Sequence, residues 1–302
     1  MTASGATEPA FADAGIDRAA EERTRPELVS ELRADPSTLI LRVQGDRVPV
    51  AGPSRLAFAT PTQVPDAAEW AFLGRRDGAG VLAAVFGADD AAPDLDGAEW
   101  AAVRVVGGEL DPVDAAFAVE ALSLGRWLLD APFCPACGTR TLLEQAGWAR
   151  HCPGCGRQHF PRTDPAVIVA VTSAIDPGLL LLGSNAAWPA GRYSCFAGFV
   201  EAGESLEAAV TRELAEEAGI DVVDVRYRAS QAWPYPRSLM LGFHAAARVD
   251  SAARADGEEI LEIRWFTRAE IMEAFAGRGE FTLPGTASIA YRLIRDWAES
   301  AA

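Results

Sequence analysis

Three glutamates stand close together in one segment of the sequence, at Glu213, Glu216 and Glu217. The surrounding segment SLEAAVTRELAEEAGI predicts a helix with Ser205 as its N-cap and Gly219 at its end. Residues spaced i, i+3 and i+4 share one face of a helix, so the three carboxylates repel one another, and the next three positions bring no cation. The pattern indicates either a solvated acidic face or a site for Mg²⁺ or Mn²⁺, which bind carboxylates together with phosphates.

Four of the five cysteines form two Cys-x-x-Cys pairs that are separated by fourteen residues. These residues are Cys134, Cys137, Cys152 and Cys155. In a reducing compartment the spacing is typical of a zinc ribbon, in which four thiolates close a tetrahedral Zn²⁺ site and leave no position open for catalysis. Unliganded thiols and a redox pair are the alternatives. We expect one structural zinc per chain, and we expect the fifth cysteine, Cys195, to be a core residue.

Two aromatic residues lie among prolines in the segment SQAWPYPRS, which runs from Ser230 to Ser238. Because proline restricts the backbone, the segment predicts a stiff, extended loop. An aromatic ring on such a loop can stack on a base or on a nicotinamide ring. The alternative is a proline-rich turn whose tryptophan belongs to the core.

The segment from Gly198 to Ile220 resembles the Nudix box without a departure, including Glu204 and the run RELAEEAGI that starts at Arg212. The resemblance implies a loop, a helix and a loop that hold divalent cations, in an enzyme that hydrolyses a nucleoside diphosphate linked to another group. Such cations screen the pyrophosphate and lower the pKa of a water while a glutamate accepts the proton.

The resemblance also implies roles for particular residues. Arg212 would orient a carboxylate, and Glu204 would tie the loop to the helix. The implied catalytic residues are Glu204, Arg212, Glu213, Glu216 and Glu217. The implied metal ligands are Glu213, Glu216, Glu217 and the carbonyl of Ala197.

The order of a zinc ribbon, a Nudix box and SQAWPYPRS resembles the NADH pyrophosphatase subfamily, whose signature reads SQPWPFPxS. Ala232 replaces a proline of that signature and Tyr235 replaces a phenylalanine. The retained residues are Ser230, Gln231, Trp233, Pro234, Pro236 and Ser238. The resemblance implies that the whole segment, Tyr235 included, contacts substrate. It also implies that Trp233 and Phe199, contributed by two subunits of a homodimer, sandwich the nicotinamide.

Four further site residues follow from the same resemblance. Glu259 matches a metal-binding glutamate, and Ala290 matches a backbone contact to substrate. Arg104 matches a substrate-binding arginine across a gap in the alignment. Phe160 stands where the subfamily has a substrate-contacting tyrosine, so the hydrogen bond of that hydroxyl has no counterpart in this chain.

The pattern of apolar residues predicts an α/β protein. The Nudix resemblance implies an α+β fold with a mixed sheet between helices for the second half, and the apolar pattern and the cysteine spacing predict a mainly β amino-terminal domain and a small zinc ribbon before it. We expect a poorly ordered lead-in over residues 1–36, an amino-terminal domain over 37–130, the ribbon over 131–161 and the Nudix domain over 162–302. STLILRVQGDRVPV predicts a hairpin, WAAVRVV a strand, and the residues after Asp111 a helix that ends at Asp130.

Composition excludes several classes of protein. The chain has 302 residues, of which 49% are hydrophobic and 23% charged, as expected of a folded globular protein. The 27 basic and 43 acidic side chains give a net charge of −16, which argues against non-specific nucleic-acid binding. The sequence shows no cationic head before an apolar stretch and no apolar run long enough to cross a bilayer. We therefore expect a cytoplasmic location.

These observations lead to one expected function. The chain would be a hydrolase that contains zinc and depends on Mg²⁺ or Mn²⁺, splitting the pyrophosphate of NADH, and more weakly NAD⁺, into nicotinamide mononucleotide and AMP. The subfamily resemblance adds removal of NAD caps from the 5′ ends of RNA. One alternative is a Nudix hydrolase for ADP-ribose or a diadenosine polyphosphate, which SQAWPYPRS argues against. The other is a non-catalytic zinc-ribbon protein that senses a ligand through a Nudix fold.

Overall fold

The chain divides into two units, one of residues 15–163 with 234–237 and one of residues 164–233 with 238–300. The computed structural model describes residues 15–64, 69–87, 89–90 and 97–300. Residues 1–14 of the expected lead-in lie outside this description. Within the described ranges, no helix is long and apolar enough to pass through a membrane.

The first unit contains a five-stranded sheet and the three short strands of the cysteine-rich segment. Its elements are α1 (Leu28–Ala34), β1 (Leu39–Gln44), β2 (Arg47–Val50), β3 (Glu69–Arg76), β4 (Ala79–Phe86), β5 (Glu99–Ala102), α2 (Val103–Val106), α3 (Pro112–Asp130), β6 (Leu142–Glu144), β7 (Ala149–His151) and β8 (Gln158–His159). The sheet order is β3-β4-β1-β2-β5, with β1 and β4 parallel. The predicted hairpin is confirmed as β1 and β2, and the predicted helix as α3.

Two expectations for this unit are wrong. The lead-in is ordered over α1, because Leu28 and Leu32 are one helical turn apart and both pack into a core cluster with Phe72. WAAVRVV is not one strand, because β5 ends at Ala102, which pairs with the first residue of its partner β2, Arg47. The chain then continues as the short helix α2, which places Arg104 in a helical turn rather than in a sheet.

The second unit is built on a six-stranded mixed sheet. Its elements are β9 (Asp164–Thr172), β10 (Leu179–Asn185), β11 (Phe196–Phe199), α4 (Leu206–Ala218), β12 (Val222–Trp233), β13 (Ser238–Ala247), β14 (Ile260–Thr267), α5 (Arg268–Phe275) and α6 (Ile289–Glu299). The order is β12-β13-β9-β10-β14, and β11 pairs with β9. Only β9 and β13, among the paired strands of this sheet that the structure describes, run parallel.

Strand β9 is covered on both faces, because its side chains alternate between two core clusters. Val167, Val169 and Val171 pack with one face of α4, whereas Ile168 and Ala170 pack with α6. Cys195 lies in the second cluster and is buried, as predicted. A mixed sheet between helices is the fold class that the sequence predicts, and it sets the glutamate helix against the sheet.

Candidate active site and cysteine cluster

Helix α4 carries the three glutamates, and both of its ends are fixed by local hydrogen bonding. Ser205 accepts a hydrogen bond from the N–H of Ala208 at its Oγ, which satisfies one of the free donors of the first turn. Gly219 ends the helix with a φ of 64°, in the left-handed region that glycine adopts without strain. The predicted helix and both predicted caps are thereby confirmed.

Arg212 binds three carboxylates of the Nudix-like segment at once. Its guanidinium contacts Glu204 at 2.8 and 2.9 Å, Glu213 at 2.8 Å and Glu216 at 3.1 Å, and it donates to the carbonyl of Phe199 at 2.9 Å. Glu204 also accepts from the N–H of Glu201 at 3.0 Å. The cation that the positions after the glutamates lack is Arg212, which lies directly before Glu213 and one helical turn before Glu216. Arg212 and Glu204 therefore join the loop to the helix.

Glu213, Glu216 and Glu217 differ in burial although they share one face of α4. The side chain of Glu216 is 59% exposed, whereas Glu217 is 5% exposed. Burial, followed by the charges of Glu259 and Glu213, raises the pKa of Glu217 to about 8. Burial also raises the pKa of Glu213, although Arg212 opposes this effect. The two inner carboxylates are thus in surroundings that disfavour their negative charge.

Glu217 has a buried oxygen whose surroundings suit a cation. Its Oε2 atom is buried and has no hydrogen-bond partner among the residues that the structure describes. A buried acceptor without a partner is costly, and a divalent cation satisfies carboxylate oxygens of this kind. The donor set therefore fits Mg²⁺ or Mn²⁺, with Glu213 and Glu217 as the inner carboxylates.

The sheet makes room for these carboxylates at Gly198. A Cβ atom at this position would lie 1.9 Å from the carboxyl carbon of Glu213, so any side chain here would displace that carboxylate. Gly198 belongs to β11, where it pairs with Val167 of β9, and Ala197 directly precedes it. The first position of the Nudix-like segment is therefore glycine for a steric reason.

Glu259 lies directly before β14, and its charge acts on Glu217. Its Oε1 atom accepts a hydrogen bond from Asn185 at 3.2 Å. Asp256 holds this turn by accepting from three consecutive backbone N–H groups, and its charge also raises the pKa of Glu217. Sequence reasoning missed Asn185 and Asp256. The Asp-Gly pair in ADGEEI is the signal for the Asp256 turn.

SQAWPYPRS is not an extended loop, which corrects the expectation from its prolines. Residues 230–233 continue β12, Ser238 begins β13, and the two strands pair directly at Trp233 and Ser238. Only Pro234, Tyr235, Pro236 and Arg237 form the turn, with a cis peptide bond before Pro236. Cross-strand pairing overrides the proline signal because both prolines fall in the turn, where no ladder N–H is needed.

The remaining predicted substrate residues have different surroundings. In the second unit Phe199 is 53% exposed, and Ser230 is exposed beside the buried Gln231. Ala290 is 2% exposed, and its N–H donates to Ser288 Oγ at 3.2 Å. The structure brings the Nudix-like segment, Glu259, Trp233 and Ala290 into one unit. It assigns Arg104, Phe160, Pro234, Tyr235 and Pro236 to the other.

Residues of that other unit surround Tyr235. Its ring lies 5.5 Å from the guanidinium carbon of Arg126. Burial raises the pKa of the Tyr235 hydroxyl. The phenylalanine-to-tyrosine departure from the subfamily signature therefore places a phenol in partly buried surroundings.

The cysteine pairs form two turns with the same hydrogen bonds. In the first, Cys134 N–H donates to Thr139 and Gly138 N–H donates to Cys134. In the second, Cys152 N–H donates to Arg157 and Gly156 N–H donates to Cys152, all four at 2.9 Å. Both glycines have positive φ, 73° and 75°. Two such knuckles are the local structure that a zinc ribbon requires.

The four sulfur atoms form one cluster, with all of them within 4.8 Å of one another. The closest pairs are Cys137 with Cys152 at 3.4 Å and Cys134 with Cys155 at 3.6 Å. Tetrahedral zinc with bonds of about 2.3 Å holds its sulfurs about 3.8 Å apart, so the cluster fits the ion. Hydrogen bonding with Thr139 lowers the pKa of the Cys137 thiol to about 6, which favours the thiolate form.

Zinc content provides a direct test of this cluster. Purified protein is expected to contain about one zinc per chain after dialysis against Mg²⁺ buffer, by metal analysis. Cys134→Ser should lower thermal stability more than it lowers the activity of the protein that remains folded. Protein prepared without chelator and free of zinc would contradict the assignment.

Three family profiles match consecutive parts of the chain. The NADH pyrophosphatase-like rudimentary NUDIX domain matches residues 25–127, the NADH pyrophosphatase zinc ribbon domain matches 130–160, and the NUDIX domain matches 162–283. Among solved structures, a NUDIX hydrolase from Nitrosomonas europaea is 26% identical with a TM-score of 0.37, covering 50% of this chain and 96% of its own.

Curated relatives are similar over most of the chain. The NAD-capped RNA hydrolase NudC of Mycobacterium tuberculosis is 39% identical over 302 residues, which covers 96% of this chain and 95% of that protein. The human NAD-capped RNA hydrolase NUDT12 is 38% identical over 199 residues, covering 63% of this chain and 43% of that protein. The chain therefore belongs to the Nudix hydrolase family and, within it, to the NADH pyrophosphatase subfamily.

Proposed function

We propose that this chain hydrolyses the pyrophosphate bond of NADH and NAD⁺, giving nicotinamide mononucleotide and AMP, and that it depends on Mg²⁺ or Mn²⁺. The observation that carries the proposal is the pair of the partly buried Glu213 and the buried Glu217, with one oxygen of Glu217 that no described residue satisfies. The names of the relatives support a substrate that contains NAD. NAD-capped RNA contains the same pyrophosphate bond and is the second proposed substrate.

The reaction requires little covalent chemistry from the protein's own side chains. Water adds to one phosphorus, the bridging P–O bond breaks, and two phosphomonoester dianions form with release of two protons. A divalent cation held by Glu213, Glu217 and the residues around them would supply positive charge to the phosphoryl oxygens and lower the pKa of the attacking water.

The chain's own side chains then have separate tasks. Arg212 holds Glu213 and Glu216 in place and fastens them to the loop through Glu204, so the carboxylates are oriented before substrate arrives. A glutamate of this set accepts the proton of the water. Glu216 remains solvent-exposed, whereas Gly198 lets the sheet approach Glu213 closely.

Substrate selection is proposed to come from aromatic rings. Trp233, at the end of β12, and the exposed ring of Phe199 would stack on the nicotinamide from two subunits of a homodimer. Further substrate contacts are proposed for Ser230, Ser238, the turn of Pro234, Tyr235 and Pro236, the Ala290 backbone, Arg104 and Phe160. Glu259 and the Ala197 carbonyl are proposed as additional metal ligands.

The cysteine cluster is proposed to hold a structural zinc, and the protein is proposed to act in the cytoplasm. Domain boundaries near residues 131 and 162 are proposed as well, with support from the ranges of the family matches, whereas the match of the first domain begins at residue 25, before the boundary expected at 37. ADP-ribose hydrolysis and non-catalytic ligand sensing are the rival functions. A sensor would bind NADH without releasing AMP.

Loss of one buried charge tests the metal site. Glu217→Gln keeps the shape of the side chain but removes a carboxylate, so turnover of NADH in Mg²⁺ is expected to fall at least about 10²-fold. Glu207→Gln is the matched control, because Glu207 is exposed in the first turn of the same helix. Its activity should stay near wild type. If Glu217→Gln retains more than about a tenth of wild-type turnover, the metal-ligand role is wrong.

Removal of the Trp233 ring tests how substrate is selected. Trp233→Ala is expected to lower kcat/KM for NADH by roughly 5- to 150-fold, on the scale of a lost stacking contact, while metal binding stays intact. ADP-ribose has no nicotinamide, so its hydrolysis should change much less. Trp233→Phe, which keeps an aromatic ring, should recover part of the loss. Equal losses on both substrates would show that Trp233 only supports the fold.

A further inference from the structure

We propose that Gln231 is a positioning residue that fixes the start of helix α6 to strand β12. The subfamily resemblance places Gln231 among the substrate-contacting residues of SQAWPYPRS. The structure places its side chain in the interior, with 2% exposure, and gives both ends of its amide a partner in the protein's own backbone.

Both ends of the Gln231 amide are bonded to the backbone at the start of α6. Its Nε2 atom donates to the carbonyl of Ala287 at 2.9 Å, and its Oε1 atom accepts from the N–H of Ile289 at 2.7 Å. The two partners are 56 and 58 residues away in sequence. Both bonds are buried, so their loss would leave polar backbone groups without water or partner.

The beginning of α6 depends on this side chain for its cap. The first N–H groups of a helix have no partner within the helix. Ser288 Oγ serves the N–H of Ala290, which leaves the N–H of Ile289, the first residue of the helix, to Gln231. The cap of α6 is therefore divided between a local serine and a glutamine from a distant strand.

The hydrogen bonds of Gln231 also link residues of the proposed nicotinamide site. Their expected effect on activity therefore rests on the proposed function. Trp233 lies two residues beyond Gln231 in β12, and residues two apart in a strand point to the same face. Ala290 follows directly after Ile289. By joining β12 to the start of α6, Gln231 sets Trp233 and Ala290 relative to each other.

Hydrogen exchange tests the connection without any assumption about activity. Gln231→Met fills nearly the same volume but provides neither hydrogen bond. In the substrate-free full-length protein, amides of residues 287–291 are expected to exchange at least about tenfold faster than in wild type. Gln145→Met is the matched control, because Gln145 is an exposed glutamine in the other unit. It should leave exchange at 287–291 unchanged.

Kinetics then separate positioning from direct contact. For Gln231→Met we expect KM for NADH to rise about 3- to 10-fold with kcat within about twofold, alongside the faster exchange. A loss of activity with unchanged exchange at 287–291 would overturn the proposal and restore Gln231 as a substrate contact. If wild-type protein does not hydrolyse NADH, the proposed function fails, whereas the exchange result still decides the role of Gln231.

A second variant covers the case in which Gln231→Met does not fold. Gln231→Glu keeps an oxygen that can accept from Ile289 but replaces the donor to Ala287 with another oxygen. Exchange at 287–291 is expected to lie between the wild-type and Gln231→Met rates or, if Gln231→Met is unfolded, above the wild-type rate. Wild-type exchange in a folded Gln231→Glu protein would contradict the proposal.

Discussion

Burial of two like-charged carboxylates beside a sheet is the constraint on which the rest of this site depends. Glu213 and Glu217 are one helical turn apart, and burial raises the pKa of both. Such a pair is stable as ions only if positive charge is supplied. Arg212 supplies part of that charge to Glu213, while one oxygen of Glu217 has no protein partner within the described chain. A divalent cation would supply the positive charge that is lacking, and the pyrophosphate of a substrate would then bind to that cation.

The fold meets this constraint by covering one strand from both sides. Strand β9 gives alternate side chains to α4 and to α6, so the helix with the glutamates packs on a rigid support. The neighbouring strand β11 brings Gly198 against Glu213. On the opposite face of the sheet, Gln231 connects β12 to α6. Metal ligands and proposed substrate residues are therefore held by different helices on a common sheet.

Local patterns predicted the parts of the molecule that depend on neighbours in sequence. The N-cap at Ser205, the glycine at the end of α4 and the two cysteine knuckles are of this kind, and the structure contains all of them. The three glutamates on one helix face indicated either a solvated acidic face or a cation site. Proline content misled at SQAWPYPRS, because pairing with β13 is a contact that no local pattern records.

Other features could not be predicted from the sequence. They depend on partners that are distant in the sequence or on how deeply a side chain is buried. The roles of Gln231 and Asn185 rest on residues more than fifty positions away. The sequence spacing places Glu216 and Glu217 on one face but does not show that only Glu217 is buried. Helix rotation against the sheet decides that difference, and it is set by packing of the whole unit.

Parallel measurement of kcat/KM for NADH, NAD⁺, ADP-ribose and NAD-capped RNA on one preparation in Mg²⁺, with identification of the products, tests the central claim most directly. The account predicts AMP and reduced nicotinamide mononucleotide from NADH, with NADH preferred to NAD⁺ and to ADP-ribose. It also predicts a 5′-monophosphate end on RNA from which the cap is removed. Preference for ADP-ribose, or release of free nicotinamide instead of its mononucleotide, would contradict it.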